Sequence, residues 1–193
     1  MRGYAPTSIA DGYSIAALAC DAVALRWALA GDGPAVLVGH DWGAVTAYAV
    51  PAGVFDRVVT LSVPPPETLR RPPLRQLRSS WYMAFNQLRG LAERAQPRLV
   101  PKLWRTWSPA YDATEDLEHL RAAWPTREHI SAALGYYRAL RPSRRRSLPT
   151  TYLHGADDGC MLAEVAAGAV LVPGAGHFVQ LERPEVVADY VSA

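Results

Sequence analysis

Three short segments carry residues that could act together on a substrate. In Val36-Leu37-Val38-Gly39-His40-Asp41-Trp42-Gly43-Ala44 an aspartate lies between two glycines, in the pattern Gly-x-nucleophile-x-Gly. This is the setting of a nucleophile elbow, with Asp at the position of the nucleophile. Leu153-His154-Gly155-Ala156-Asp157-Asp158 supplies an acid just after an apolar run. Val172-Pro173-Gly174-Ala175-Gly176-His177-Phe178 supplies a histidine in a glycine-rich loop. An imidazole oriented by a carboxylate is a good base for activating water. Taken singly, each segment also has a plainer reading: a tight strand-to-helix turn capped by Asp, a loop acid, a structural histidine.

These residues must be positioned by regular elements. Ala35-Val36-Leu37-Val38, after Gly33-Pro34, predicts a buried parallel strand, and the stretch from about Gly43 to Val50, ended by Pro51, predicts a helix. The start of that helix would aim backbone N–H groups at an anion. Glycines on either side of Asp41 are expected to let strand and helix approach closely. Upstream, Ile15, Leu18, Ala19, Ala22, Leu25 and Leu29 predict an amphipathic helix over residues 14–30, with Gly31 as its stop. Further strands are expected at 57–63, stopped by Pro64-Pro65-Pro66, and at 150–153 and 170–172, with a last helix at 184–191. This alternation predicts an α/β fold with a parallel sheet. From Glu67 to about Arg146 the pattern is helical, with breaks expected at Pro97, Pro101, Pro109 and Pro125 and an N-cap at Thr126 for a helix to about Leu140.

The 193 residues are half hydrophobic and one-fifth charged, with a net charge of +2. That composition supports a real core and excludes a disordered chain. No apolar run approaches the ~18 residues of a membrane span. Asp11 precedes the Ala- and Leu-rich stretch 14–30, and Asp21 and Arg26 interrupt it, so no signal peptide is expected. Two cysteines, Cys20 and Cys160, form no disulfide framework and suit a reducing, cytoplasmic setting. Residues 57–146 hold 17 basic and 7 acidic side chains, whereas the flanks hold 3 and 11. A step of that size marks an inserted segment with its own surface. The expected organisation is a core part at 1–66, a helical cap at 67–146 and a second core part at 147–193. Arg70-Arg71 and Arg144-Arg145-Arg146 are isolated basic clusters, so no nucleic-acid partner is expected. A metal site of His40, Asp41, His154 and Asp158 can be drawn, but no pair has short ligand spacing, and neither metal nor cofactor is expected.

The segments together resemble the α/β-hydrolase-fold epoxide hydrolases. The resemblance rests on Gly39-His40-Asp41-Trp42-Gly43, the loop Pro173-Gly174-Ala175-Gly176-His177, the opening Arg2-Gly3-Tyr4-Ala5-Pro6, and two cap segments, Trp81-Tyr82-Met83-Ala84-Phe85-Asn86-Gln87 and Gly135-Tyr136-Tyr137-Arg138. The order nucleophile, acid, histidine is that of α/β-hydrolases. The resemblance implies Asp41 as nucleophile, Asp158 and His177 as the acid–base pair, and Tyr82 and Tyr137 as donors to the epoxide oxygen. Asp157 and Tyr136 remain as rivals to their neighbours. Trp42 is expected to offer an oxyanion N–H, Trp81 to touch substrate, and His40 to be structural.

The family carries a His-Gly-x-Pro loop before Arg-Gly-Tyr, which here begins at residue 2, so a chain shortened at its N-terminus is expected. The strand at 35–38 would then lie on a free sheet edge, suited to pairing with a second copy. Asp158 and His177 are 19 residues apart, closer than the family spacing. Two other readings stand beside the epoxide hydrolase, which needs only an epoxide and water. One is a haloalkane dehalogenase-like enzyme, with the Trp42 indole holding the halide; the other is a non-catalytic binding or dimerising remnant.

Overall fold

The computed structural model describes residues 1–69, 71–141 and 150–192. The Arg144–Arg146 cluster, the Arg70 half of Arg70-Arg71 and the expected boundary at 146/147 lie outside the described residues. The chain runs α1 (Ile15–Ala30), β1 (Val36–His40), α2 (Trp42–Ala47), β2 (Arg57–Leu61), α3 (Leu74–Ser79), α4 (Trp81–Phe85), α5 (Leu91–Trp107), α6 (Thr114–Ala123), α7 (Arg127–Ala139), β3 (Thr151–Gly155), β4 (Val170–Val172), α8 (Val179–Glu182) and α9 (Pro184–Ser192). The four strands form one parallel sheet in the order β1-β2-β3-β4. Helices α3 to α7 all fall between β2 and β3. No described helix is long and apolar enough to cross a membrane.

Two buried clusters hold the layers together. Val59, Leu61, Leu153, Val172, Val179 and Val187 join the sheet to α8 and α9. Ala44, Tyr48, Val63, Tyr82, Leu103, Trp107 and Phe178 join the sheet's carboxyl end to the helical insertion. A site built there is therefore roofed by α4, α5 and α7.

Several local expectations change. Helix α2 ends at Ala47, and the following Tyr48 hydroxyl is tied to Thr60 Oγ1 and the Val63 carbonyl at 2.9 and 2.8 Å. Strand β2 stops at Leu61, because Ser62 takes a left-handed φ of 65° that turns the chain away. Pro97 and Pro101 do not break the insertion but lie inside α5. An internal proline removes one helical hydrogen bond. The face Ala92, Glu93, Gln96, Leu103, Trp107 stays buried, and the first turn is locked by Glu93, which accepts the Gly90 N–H at 2.6 Å and pairs with Arg138 at 2.7 Å. Burial of that face outweighs the lost bonds.

Helix α1 begins as expected, with Ser14 Oγ accepting the Ala17 N–H at 3.2 Å. Its apolar stripe is only partly used: Leu18 and Ala19 are buried, while Leu25 and Leu29 are exposed. Strand β1 is an outer strand of the described sheet, and its Val36 and Val38 are 36% and 41% exposed.

Candidate active site

Asp41 sits in the bend between β1 and α2 with φ 49° and ψ −113°, a conformation that a non-glycine residue rarely adopts. Such strain is held only where the surroundings over-determine it. Here they do. A Cβ on Gly39 would collide with the backbone of Gly43 and Ala44, so strand and helix touch at this point. Gly43 itself has open space where a Cβ would go. Of the two glycines, only Gly39 is required by close approach.

Two cavities meet at this bend. One, of about 240 Å³, extends under α5 and α7; the other, of about 680 Å³, runs toward Val63, Leu69 and Leu140. Asp41, Trp42, Tyr82 and Tyr137 line both, and so form the waist between them. Tyr82 comes from α4 and Tyr137 from α7, their rings meeting edge-on at 6.0 Å. Both phenols are pushed well above their ordinary pKa, first by burial and then by neighbouring acids that include Asp41, so they stay protonated donors. A side-chain hydrogen bond from Trp42 acts in the opposite direction on Tyr137. The Tyr82 hydroxyl lies 3.3 Å from the buried Cys160 thiol.

The acid and the histidine meet despite their short separation in sequence. His177 Nδ1–H donates to Asp158 Oδ2 at 2.9 Å, and both side chains are fully buried. The other Asp158 oxygen accepts the N–H groups of Cys160 and Met161 at 2.7 and 2.9 Å. Both oxygens of the acid are thus engaged, one by the imidazole and one by its own loop. His177 Nε2 is buried without a hydrogen-bond partner, so it is the nitrogen open to a water. Burial pulls the His177 pKa down, but the charge and hydrogen bond of Asp158, with Asp41 and Glu182 behind it, leave it above the usual imidazole value. Burial raises the Asp41 carboxyl, with His177 opposing.

The structure separates the rival pairs. Asp157 is exposed, whereas Asp158 holds the histidine. Tyr136 turns from the waist, donating its hydroxyl to the Arg2 carbonyl at 2.7 Å and packing against Tyr13. Trp81 corrects an expectation: it lines neither cavity, is 50% exposed and packs on Phe85. The residues lie four apart on one helix face, and Tyr82, rotated by about 100°, takes the buried face. His40 is structural: its Nε2–H donates to the His177 carbonyl at 3.0 Å, and burial holds it neutral, down to about 3.

The combination His40, Asp41, His154 and Asp158 is not assembled for a metal. His154 uses both ring nitrogens, on the Tyr152 hydroxyl and the Met161 carbonyl at 2.7 and 2.9 Å. Among the described residues the group with metal-ligand proximity is Asp158, Cys160 and His177, and there both carboxylate oxygens already accept hydrogen bonds.

Sequence reasoning missed the residues that brace the histidine loop. Ser108, just after α5, accepts the His177 N–H at 2.8 Å and donates to Glu182 at 2.7 Å. Glu182 also accepts the N–H groups of Gly176 and Phe178 at 2.9 and 3.2 Å. The Trp107 carbonyl accepts from His177 and from Gly159 of the acid loop, each at 3.1 Å. A Cβ on Gly176 would strike Ser108, and one on Gly155 would strike Gly176, which is how closely these loops pack. Lone polar residues dozens of positions away leave no pattern to read. Ser108→Ala strips one partner from a half-buried carboxylate and one from a buried N–H. It is expected to cost about 1–3 kcal/mol of stability and roughly tenfold in kcat with KM little changed, read by thermal melting and steady-state kinetics.

The chain has recognisable relatives. The family model described as "Alpha/beta hydrolase family" matches residues 1–190. The AB hydrolase superfamily protein YfhM of Bacillus subtilis is 25% identical over 209 residues, which cover 94% of this chain and 72% of that protein. Epoxide hydrolase A of Mycobacterium tuberculosis is 28% identical over 251 residues, which cover 97% of this chain and 77% of that protein. Among solved structures, the Cif epoxide hydrolase from Acinetobacter nosocomialis has a TM-score of 0.77 at 19% identity, covering 99% of this chain and 71% of that one. At that identity the likeness is one of fold.

Proposed function

Starting from a chain that belongs to the alpha/beta hydrolase family, we propose that it is an epoxide hydrolase, opening an epoxide to a vicinal diol through an ester on Asp41. The observation that carries this reading is the waist. One carboxylate and two protonated phenols, from three different elements, line both cavities where they meet.

In the first step an Asp41 oxygen attacks a ring carbon, the carbon–oxygen bond breaks, and the oxygen takes a proton from Tyr82 or Tyr137. General-acid help of this kind is worth ~10²–10⁴-fold. In the second, His177 Nε2 removes a proton from water, which attacks the ester carbonyl. The ester bond breaks, the diol leaves and the carboxylate is restored, and the proton held on His177 returns through solvent to the tyrosine that lost one. Asp158 keeps the imidazole in the required tautomer and stabilises its cation. The N–H of Trp42, at the start of α2, is the donor we assign to the oxyanion. Helices α3 to α7 act as the cap that brings the phenols, and no metal or cofactor enters the scheme.

A haloalkane dehalogenase uses an Asp and an indole but needs no paired phenols at the nucleophile. A matched epoxide and chloride of the same carbon skeleton separates the readings. Diol formation without halide release is expected, and the double substitution Tyr82→Phe, Tyr137→Phe should lower kcat about 10²–10⁴-fold. Halide release at the rate of diol formation would overturn the proposal.

A further inference from the structure

We propose that the outer face of α3 and the start of α4 form a docking surface for an anionic lipid bilayer. Leu74, Leu77 and Trp81 enter the headgroup boundary, and Arg71, Arg75 and Arg78 meet the charged headgroups around them. The proposal is independent of the reaction and stands whatever substrate Asp41 takes.

Leu74 is 80% exposed, Leu77 54% and Trp81 50%. The two leucines lie three apart on α3 and share a face, and Trp81 opens α4 directly after it, packed on Phe85. Between the leucines, Gln76 is buried. Its Nε2–H donates to the Cys160 carbonyl and its Oε1 accepts the Leu162 N–H, both at 2.9 Å. Rolling α3 to hide the leucines would break both bonds, so the fold itself holds them outward. A scattered exposed leucine is ordinary. A grouped set, fixed in place, marks a contact surface.

Charge decides what that contact is made with. Residues 71–92 contain four arginines, Arg71, Arg75, Arg78 and Arg89, and no acidic residue. All four are exposed. The next acid, Glu93, is buried and paired with Arg138. A second copy docked symmetrically would set these arginines against their own images. A nucleic acid would engage the arginines but give the leucines and the indole no apolar partner. An anionic bilayer suits both halves. The acyl boundary takes the leucines, the indole lies at headgroup level, and the guanidinium groups reach phosphate and carboxylate along their apolar stems. The contact is peripheral, no described helix being long and apolar enough to cross a membrane. Met83, two residues beyond Trp81, lines the larger cavity, so docking sets a wall of that cavity beside the lipid.

The test is co-sedimentation with vesicles of phosphatidylcholine alone or with about 30 mol % phosphatidylserine, which carries the negative surface potential. Wild type should sediment with the anionic vesicles, weakly with the neutral ones, and less as salt is added. The pair Arg75→Gln, Arg78→Gln should lower the anionic partition coefficient about 25-fold, at about fivefold for each arginine. The pair Leu74→Ser, Leu77→Ser should lower it at least about tenfold. Tryptophan emission should shift to the blue on binding, and Trp81→Phe should remove that shift. Both leucines are exposed, so melting should not change; if the leucine pair melts early, the arginine pair and Trp81→Phe decide. Absence of wild-type binding to anionic vesicles overturns the proposal. So does binding that the folded leucine pair leaves unchanged, or a blue shift that survives Trp81→Phe. Dimerisation without vesicle binding, lost in the leucine pair, assigns the face to a second copy and overturns it as well.

Discussion

Asp41→Asn is expected to abolish diol formation, with a fall in kcat of at least about 10⁴-fold and no change in fold. The amide is isosteric with the acid, and asparagine is among the non-glycine residues that best tolerate a positive φ, so the strained bend survives. What disappears is the negative oxygen that must form the bond to carbon. Losing a triad nucleophile removes nearly all catalysis beyond that of binding and oxyanion donors. Intact-mass measurement of acid-quenched reactions gives the sharper reading. Wild type should carry the added mass of one epoxide and Asp41→Asn none. An adduct that persists in the asparagine variant would place the ester elsewhere and sink the mechanism.

His177→Gln should produce the opposite mass signature. The ester forms, because Asp41 and both phenols are untouched, but water is no longer activated. The adduct is expected to accumulate to one per molecule, with kcat falling about 10⁴-fold and a single-turnover burst close to the wild-type rate. The same half-reaction sets the pH response. His177 must be neutral to accept a proton, and, with Asp41 uncharged in the ester, the charge and hydrogen bond of Asp158 are what hold its pKa up against burial. Its basic form is therefore lost as the pH falls through that value. The acid limb of the steady-state rate should lie near the ordinary imidazole value of 6.5 or above it, and adduct should build up in wild type on that limb. A limb well below that value would show that Asp158 does not govern the imidazole.

The bend at Asp41 could be read from sequence because its cause is local: an apolar strand, a glycine, and a helix start within nine residues. The acid and histidine loops were legible for the same reason, each being a strand end followed by glycines. Tyr82 and Tyr137 were reached through resemblance, since nothing local distinguishes Tyr137 from Tyr136; what separates them is direction, Tyr137 lining both cavities and Tyr136 donating to the Arg2 carbonyl. Trp81 was misassigned because adjacency in sequence is not adjacency on a one-turn helix. Pro97 and Pro101 misled because proline's cost is local, whereas the gain from burying the α5 face is spread over α7 and the histidine loop. Ser108 and Glu182 act through hydrogen bonds across 74 residues, a distance at which single polar side chains carry no periodic signal.

The bonds from Trp107 and Ser108 to both loops bear on how a substrate enters. A swing of α5 away from the sheet would tear the N–H groups of His177 and Gly159 from their acceptors and unseat the base. Admission must therefore leave α5 in place. Among the described residues no part of α5 lines the larger chamber, which Leu69, Met83 and Leu140 border instead, so a substrate that reaches Asp41 from that side leaves the bonds of the histidine loop intact.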